Sequence, residues 1–368
     1  MKAFLFALLL AASAAAQPVV GPEVRSAPIE AFGDVALLPE ADGYVIASSQ
    51  GHQISIGRLD ATLHQTEALL AVPLSASSAI APFVTLATTG RSILLVWKEQ
   101  RPGYAESTYA ATLTGDARSL LASPRFINVS SYAPAAGVRN GRYVLVSGDE
   151  SLLLTDELET ESIQAISAPL SAAVSSRGEA ATVTVVVNKS YFCRGICPFC
   201  PPVSCSTLET FTFNTPAVNR NVQIAYGPTV DFSVPPAHDP IVAVDGDHFI
   251  GVVPRNLETD VFEILADGGG KGWTLEPLPN AAQIAAAGNG SEVLVVWWSP
   301  PALKGAILRA DRTTSEPFVI AETYSAPKVL VANSNELVVT YRYDIDAQHS
   351  EIAGRVIRLQ PSKHRAIR

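Results

Sequence analysis

Apolar and polar positions along this chain alternate with a period of two, in short segments rich in Val, Ile, Leu and Thr. That period places successive side chains on opposite faces of a strand, and no long stretch carries the three-to-four-residue spacing of a buried helix. One unit recurs. A strand of small apolar residues is followed by a tight turn and then by a strongly apolar strand, as in Ile284-Ala285-Ala286-Ala287, Asn289-Gly290 and Val293-Leu294-Val295-Val296-Trp297-Trp298. The corresponding turns elsewhere are Asp42-Gly43, Thr89-Gly90, Asn140-Gly141, Arg177-Gly178, Asp245-Gly246 and Ser334-Asn335. Gly takes positive φ freely and Asn or Asp tolerates it, which is what two-residue hairpin turns require.

The units recur roughly every 49 residues, with one longer interval at the fourth, which suits one four-stranded sheet per unit. The clearest unit predicts strands at 283–287, 293–298, 304–308 and 317–320. Small residues on the first strand fit a position near a central axis, where sheets converge and only small side chains pack. The expectation is an all-β, seven-bladed β-propeller of four-stranded antiparallel blades. Its seventh unit has only three strands, and Pro18 to Val24 of the mature amino terminus would supply the fourth, leaving no open edge. Residues 151–166 could form an amphipathic helix through Leu154, Leu158 and Ile163, but read better as two strands separated by 156–159.

The domain reading is a signal peptide over 1–16, one propeller domain over 17–360 with an inserted hairpin at 188–206, and a basic tail at 361–368. Lys2, the apolar run from Phe4 to Ala12, and Ala14-Ala15-Ala16 before Gln17 have the order of a leader peptide, so the chain is expected to be secreted or periplasmic. No later stretch has the length and lack of charge of a membrane-spanning helix.

Of the 368 residues, 48% are hydrophobic and 17% charged, enough apolar material for a large core. The 26 Lys and Arg against 35 Asp and Glu leave a net charge of -9, which argues against a nucleic-acid partner. A monomer is expected.

Cys193, Cys197, Cys200 and Cys205 all fall in the inserted hairpin. Their spacing matches no zinc module closely, and an even number of Cys in an exported chain points to two disulfides. Three pairings are open, and the nested one, Cys193 with Cys205 and Cys197 with Cys200, suits antiparallel strands. Such a staple would hold Tyr191, Phe192 and Phe199 on a finger.

In a propeller the loops between second and third strands and the links between blades share one rim, and their unequal lengths here mark it as the binding face. On it stand Arg101, Tyr104, His238, Asp239 and Arg255, together with Asp344, Asp346 and His349. Asp344-Ile345-Asp346 begins like a calcium loop but lacks the third acidic or amide ligand and the bend Gly, so no cofactor is expected and calcium is the sole ion suggested. Asp245, Asp247 and His248 belong to the opposite, short-turned rim, where Asp is an ordinary turn former. No G-x-S-x-G, H-E-x-x-H or P-loop occurs. Asn128-Val129-Ser130, Asn188-Lys189-Ser190 and Asn289-Gly290-Ser291 match the glycan-acceptor pattern.

The repeats, with second strands such as Gly290-Ser291-Glu292-Val293-Leu294-Val295-Val296-Trp297, resemble those of secreted bacterial β-propeller proteins of unassigned function. They depart from the WD, Asp-box and kelch patterns. The resemblance implies a wheel with one functional rim, and hence an exported protein that recognises a glycan or another protein there. The alternative is a propeller-type hydrolase or lyase acting on a polysaccharide or small ester, which polar residues converging on the central hole would favour.

Overall fold

The structure is a computed structural model. It describes residues 18–359 except 26–28, 31–33, 77–78, 131, 168, 176, 193–205, 216–218, 226–239, 255–258, 265–271, 276–283, 300, 323–326 and 346–348. The expected leader and basic tail therefore lie outside the described residues. Among those described there are 30 strands and no helix.

Three short pieces come first: β1 (Val19–Val20), β2 (Val24–Arg25) and β3 (Ile29–Glu30). Four antiparallel meanders follow. They are β4 (Val35–Glu40), β5 (Gly43–Gln50), β6 (Gln53–Asp60) and β7 (Gln65–Pro73); β8 (Ile80–Thr88), β9 (Ser92–Gln100), β10 (Ser107–Thr114) and β11 (Leu120–Val129); β12 (Ala135–Arg139), β13 (Arg142–Ser147), β14 (Glu150–Leu154) and β15 (Thr160–Ala165); and β16 (Ser171–Val174), β17 (Ala180–Phe192), β18 (Ser206–Asn214) and β19 (Asn219–Ala225). Next are β20 (Ile241–Asp245), β21 (His248–Pro254), β22 (Thr259–Ile264) and β23 (Gly272–Leu275), then β24 (Ile284–Gly288), β25 (Glu292–Ser299), β26 (Ala302–Arg309) and β27 (Phe318–Ala321). The chain closes with β28 (Lys328–Asn333), β29 (Glu336–Asp344) and β30 (His349–Arg358).

The first strands of successive meanders, β4, β8, β12, β16, β20, β24 and β28, neighbour one another in turn around a common axis. Lys328 on β28 reaches back to the carbonyl of Val35 on β4, at 3.0 Å. The ring is a β-propeller. At its hub a cavity of about 360 Å³ is lined by the inner strands, with Ala36, Ala243, Ala285 and Ala286 among its walls, in keeping with the crowding expected near the axis.

The expectation of seven separate four-stranded blades needs correction, because hydrogen bonding among the described residues gives six sheets. Five are single blades, and the sixth is an eight-stranded sheet of β20 to β27. The physical cause is local. Gly246 N donates to Gly288 O at 3.0 Å, and the Asp245 carboxylate accepts from Gly290 N at 2.7 Å, so Asp245 and Gly288 are drawn into a parallel pair that fuses two meanders.

The last sheet has six strands rather than four, since β1, β2 and β3 all lie antiparallel along β30. Val19 is paired with Arg358 and Val24 with Gly354, so Pro18 to Val24 supplies the outer strand, in two pieces, and β3 extends the edge to Ser350 and His349. A backbone bond from Gly21 N to Val356 O, 2.8 Å, bridges the first two pieces.

The hairpin logic holds in detail at Asn140-Gly141, where φ is 51° and 73°, both in the left-handed region that a two-residue turn needs. Residues 150–165 form β14 and β15 around a turn, not a helix. Core packing lies between sheets: Trp97 and Trp297, on the second strands of their blades, are almost wholly buried.

Candidate functional site

The two rims differ in what their residues do. On the short-turned rim, polar turn side chains bind the next blade. Asp247 pairs with Arg177 at 2.5 Å, Asp245 caps Gly290, and Asn289 Nδ2 donates to Ser334 O at 2.8 Å. Burial pushes the Asp245 carboxyl above the usual carboxylate range, and the bond from Gly290 N offsets that in part. Asn289 thereby contributes its amide to structure, as does Asn128, whose Nδ2 donates to Ser147 O at 2.8 Å. Two of the three glycan-acceptor asparagines are thus engaged within the fold.

The opposite rim carries loops of very unequal length. Between second and third strands they shrink to 51–52 in the first sheet and 148–149 in the third but extend over 101–106 in the second, and in the fourth the described strands stop at Phe192 and resume at Ser206. In the fourth sheet β17 has 13 residues whereas β16 has 4, so β16 pairs only with 180–183 and the rest of β17 runs on as a ribbon with β18. The ladder passes Asn188 opposite Leu208 and ends with Phe192 opposite Ser206. Tyr191 and Phe192 therefore sit on the stem of the expected finger. Phe199 and the four cysteines lie outside the described residues, as do His238, Asp239, Arg255 and Asp346. Asp344 ends β29 and His349 starts β30, so these two backbones flank one loop of the same rim.

The best-defined part of the rim is built by the second sheet. Glu99, near the end of β9, is 1% exposed. Its Oε1 accepts from Trp97 Nε1 and from Ser75 N, both at 2.9 Å, and its Oε2 accepts from Ser75 Oγ. A buried carboxylate persists because these donors replace its water. Arg101 lies 3.5 Å from the same Oε2, donates to Ser75 Oγ, and reaches Tyr109 Oη at 3.0 Å. Arg101 is therefore a strut of the loop, not a free recognition cation. Lys98 is likewise paired, with Glu106.

Rings accumulate above this network. Trp97 stacks on Tyr109 with centroids 5.9 Å apart, and Tyr109 meets Phe126 edge-on at 5.8 Å. Phe126, on the outer strand β11, is 49% exposed, and Tyr104 in the 101–106 loop is 74% exposed. Sequence reasoning had Arg101 and Tyr104 but missed Tyr109, Phe126, Ser75 and Glu99. Trp97 and Glu99 share one face of β9 by their two-residue spacing and Arg101 follows just past its end, which was a usable signal; Ser75, in the preceding blade link, and Phe126, on β11, left none.

At the hub the lining is mostly aliphatic. Its cation, Lys328, is paired with Asp34, whose Oδ2 also accepts from Val84 N at 2.8 Å, and Lys328 Nζ lies 4.5 Å from the Phe83 ring centroid. Among the described residues no group of three or more His, Cys, Asp or Glu side chains is arranged to hold a metal ion, and no helix is long and apolar enough to cross a membrane.

No family model matches the chain, and no curated protein matches it. Solved structures do. A protein of unknown function from Dyadobacter fermentans aligns with a TM-score of 0.43 and 13% identity over 77% of this chain and 96% of its own. The β-propeller domain of the Trilobed protease from Pyrococcus furiosus gives 0.44 and 8%, over 89% and 94%. The SapL1 lectin, solved with alpha methyl fucoside, gives 0.42 and 8%, over 90% and 97%. Likenesses this distant carry no argument about what the chain binds.

Proposed function

We propose that this protein is an exported binding protein that recognises a glycan through the loop-rich rim, with the 101–106 loop and the finger of the fourth sheet as contact elements. The observation that carries the reading is the exposed Tyr104 and Phe126 beside a fully braced Glu99–Ser75–Arg101 network. Exposed rings offer flat apolar area that loses little entropy on binding, and a rigid base beneath them lowers the ordering cost. Sugars present C–H faces that stack on such rings and hydroxyls that bond to polar groups around them. The carboxylates of Asp34 at the hub and of Glu99 and Glu106 at this rim are engaged in internal pairs, which favours recognition over hydrolysis.

The test is a glycan array probed with the intact chain and with a Tyr104→Ala, Phe126→Ala double variant. Glycan binding lost in the variant while its melting temperature holds supports the reading. Absence of any glycan signal, with capture of a protein through the same rim instead, replaces the ligand class. Turnover of a bound polysaccharide would overturn the reading in favour of the hydrolase or lyase.

A further inference from the structure

The interface between the first and last sheets differs from its neighbour. Between the first and second sheets Val45, Ile54, Val84, Leu95, Trp97 and Leu113 are buried in one cluster, and the opening there, of about 630 Å³, is lined by residues of the short-turned rim such as Asp42, Asp60, Gly90 and Gly115. Across the seam where the ring closes, the fully buried contacts reduce to Val35 with Ile352 and to Tyr44, Leu63 and Val338. Between these two small clusters lies a cavity of about 620 Å³.

Gly57, Ala68 and Gly354 are among the small residues of its walls, and Leu63 packs against Gly354, its Cδ1 2.9 Å from where a Cβ would stand. The walls are otherwise aliphatic, with Leu37, Ile46, Leu70 and Ile352 prominent, and the volume lies in the range of small-molecule sites. The polar groups are few and uncharged amides and hydroxyls, chiefly Gln53, Ser55 and Gln65, apart from His64 and Arg25 at the border. Arg25 is already neutralised: its Nε is 2.7 Å from Glu23 Oε1, its Nη1 is 3.8 Å from Glu351 Oε2, and its guanidinium lies 4.1 Å from the Tyr343 ring centroid.

We propose that this seam cavity binds a neutral small amphiphile, an apolar body with a hydroxyl or carbonyl head that bonds to the Gln53 and Ser55 side. An anionic head would find the guanidinium on the wall, Arg25, already paired with Glu23 and Glu351, which disfavours fatty-acid carboxylates. The cavity runs along the seam from the 51–52 turn of the loop-rich rim, where Gln53 starts β6, to His64 beyond the other end of that strand, and it is tested separately from the glycan reading.

The test titrates the neutral dye N-phenyl-1-naphthylamine into the intact chain and displaces it with 1-decanol or with decanoate. Expected are a saturable fluorescence rise, displacement by decanol at least about tenfold more readily than by decanoate, and dye affinity weakened about tenfold or more in Leu37→Trp and Ala68→Phe, which fill the cavity from opposite ends. No saturable rise, equal potency of the two competitors, or unchanged affinity in natively melting filled variants would each overturn the proposal. Should both variants fail to fold, photolabelling of the unmodified chain with a diazirine alcohol decides the matter. Labels on 53–59 or 352–354 support the site, and labels confined elsewhere refute it.

Discussion

Lys328 and Asp34 form an ion pair although 294 positions separate them in the chain. The pair ties the first strand of the last blade to the entry of the first blade. Lys328 also donates to the carbonyl of Val35 at 3.0 Å and of Val84 at 3.2 Å, so one ammonium group joins three inner strands at the hub. Replacing it with an apolar residue, Lys328→Met, leaves a partly buried carboxylate and two carbonyls without their donor. Because the lysine is about one-third exposed, the expected loss is about 1–2 kcal/mol, between that of a surface pair and that of a buried one. The midpoint of urea unfolding measures it.

A second closure is made by strand pairing. Arg355 Nη1 donates to Gly21 O at 2.8 Å, and Tyr341 Oη donates to Glu23 Oε2 at 2.7 Å, in addition to the pairing of β1 and β2 with β30. Deleting residues 17–25 strips the edge of β30 and should lower Tm by roughly 5 °C or more, with a tendency to self-associate through the bared strand. An unchanged thermal melt would remove the amino terminus from the account of ring closure.

Two carboxylates give opposite pH dependence. Partial burial pushes Glu23 upward, but hydrogen bonds from Tyr341 and Arg25 and the charges of Arg25 and Arg355 outweigh it and hold its pKa below the usual value of 4.5. Its stabilisation is complete above that value and is lost as pH falls below it. Asp245 is raised by burial, so its contribution has the reverse sign: it is present at acid pH and is lost as pH rises above the usual 3.8 through the folded value. Melts recorded from about pH 3 to about pH 7 should therefore show a flatter acid limb for Glu23→Gln and a gain in relative stability toward neutral pH for Asp245→Asn.

Gly90 and Gly178 separate backbone strain from crowding between blades. Both have positive φ, 82° and 70°. A Cβ on Gly90 would meet nothing within 4 Å, whereas one on Gly178 would stand 2.4 Å from Arg139 Cβ and 2.5 Å from Val138 O. Gly90→Ala should cost about 1 kcal/mol and Gly178→Ala roughly 2–4 kcal/mol, since the latter must also push the third blade aside. Equal costs in chemical denaturation would show that the third and fourth blades are not in this contact.

If the protein is exported as proposed, unreduced peptide mapping should recover two bridges among Cys193, Cys197, Cys200 and Cys205. Free thiols or bound metal would end the disulfide reading and with it the rigid finger.

The blade from Ile284 to Ala321 shows how far local pattern reaches. Its four strands fall within two residues of where alternation, the Asn289-Gly290 turn and the Pro300-Pro301 break put them, because hairpin pairing depends on residues close in sequence. The same holds for Asn140-Gly141 and for the two strands within 150–165. Arg101 shows where that reach ends. Its position on a variable loop marked it as a recognition residue, yet Ser75 and Tyr109, from the preceding blade link and the following strand, engage its guanidinium.

The sequence alone determined the all-β architecture, the hairpin unit, the small residues at the hub and the supply of the last outer strand by the amino terminus. Each of these follows from side-chain period, turn stereochemistry or the need to cover an edge. Only tertiary structure decided that Asp245 and Gly288 fuse two meanders, that Lys328 meets Asp34, and that the seam between first and last sheets is left open. These depend on how closely separate sheets approach around the axis, a distance set by the packing of the whole ring.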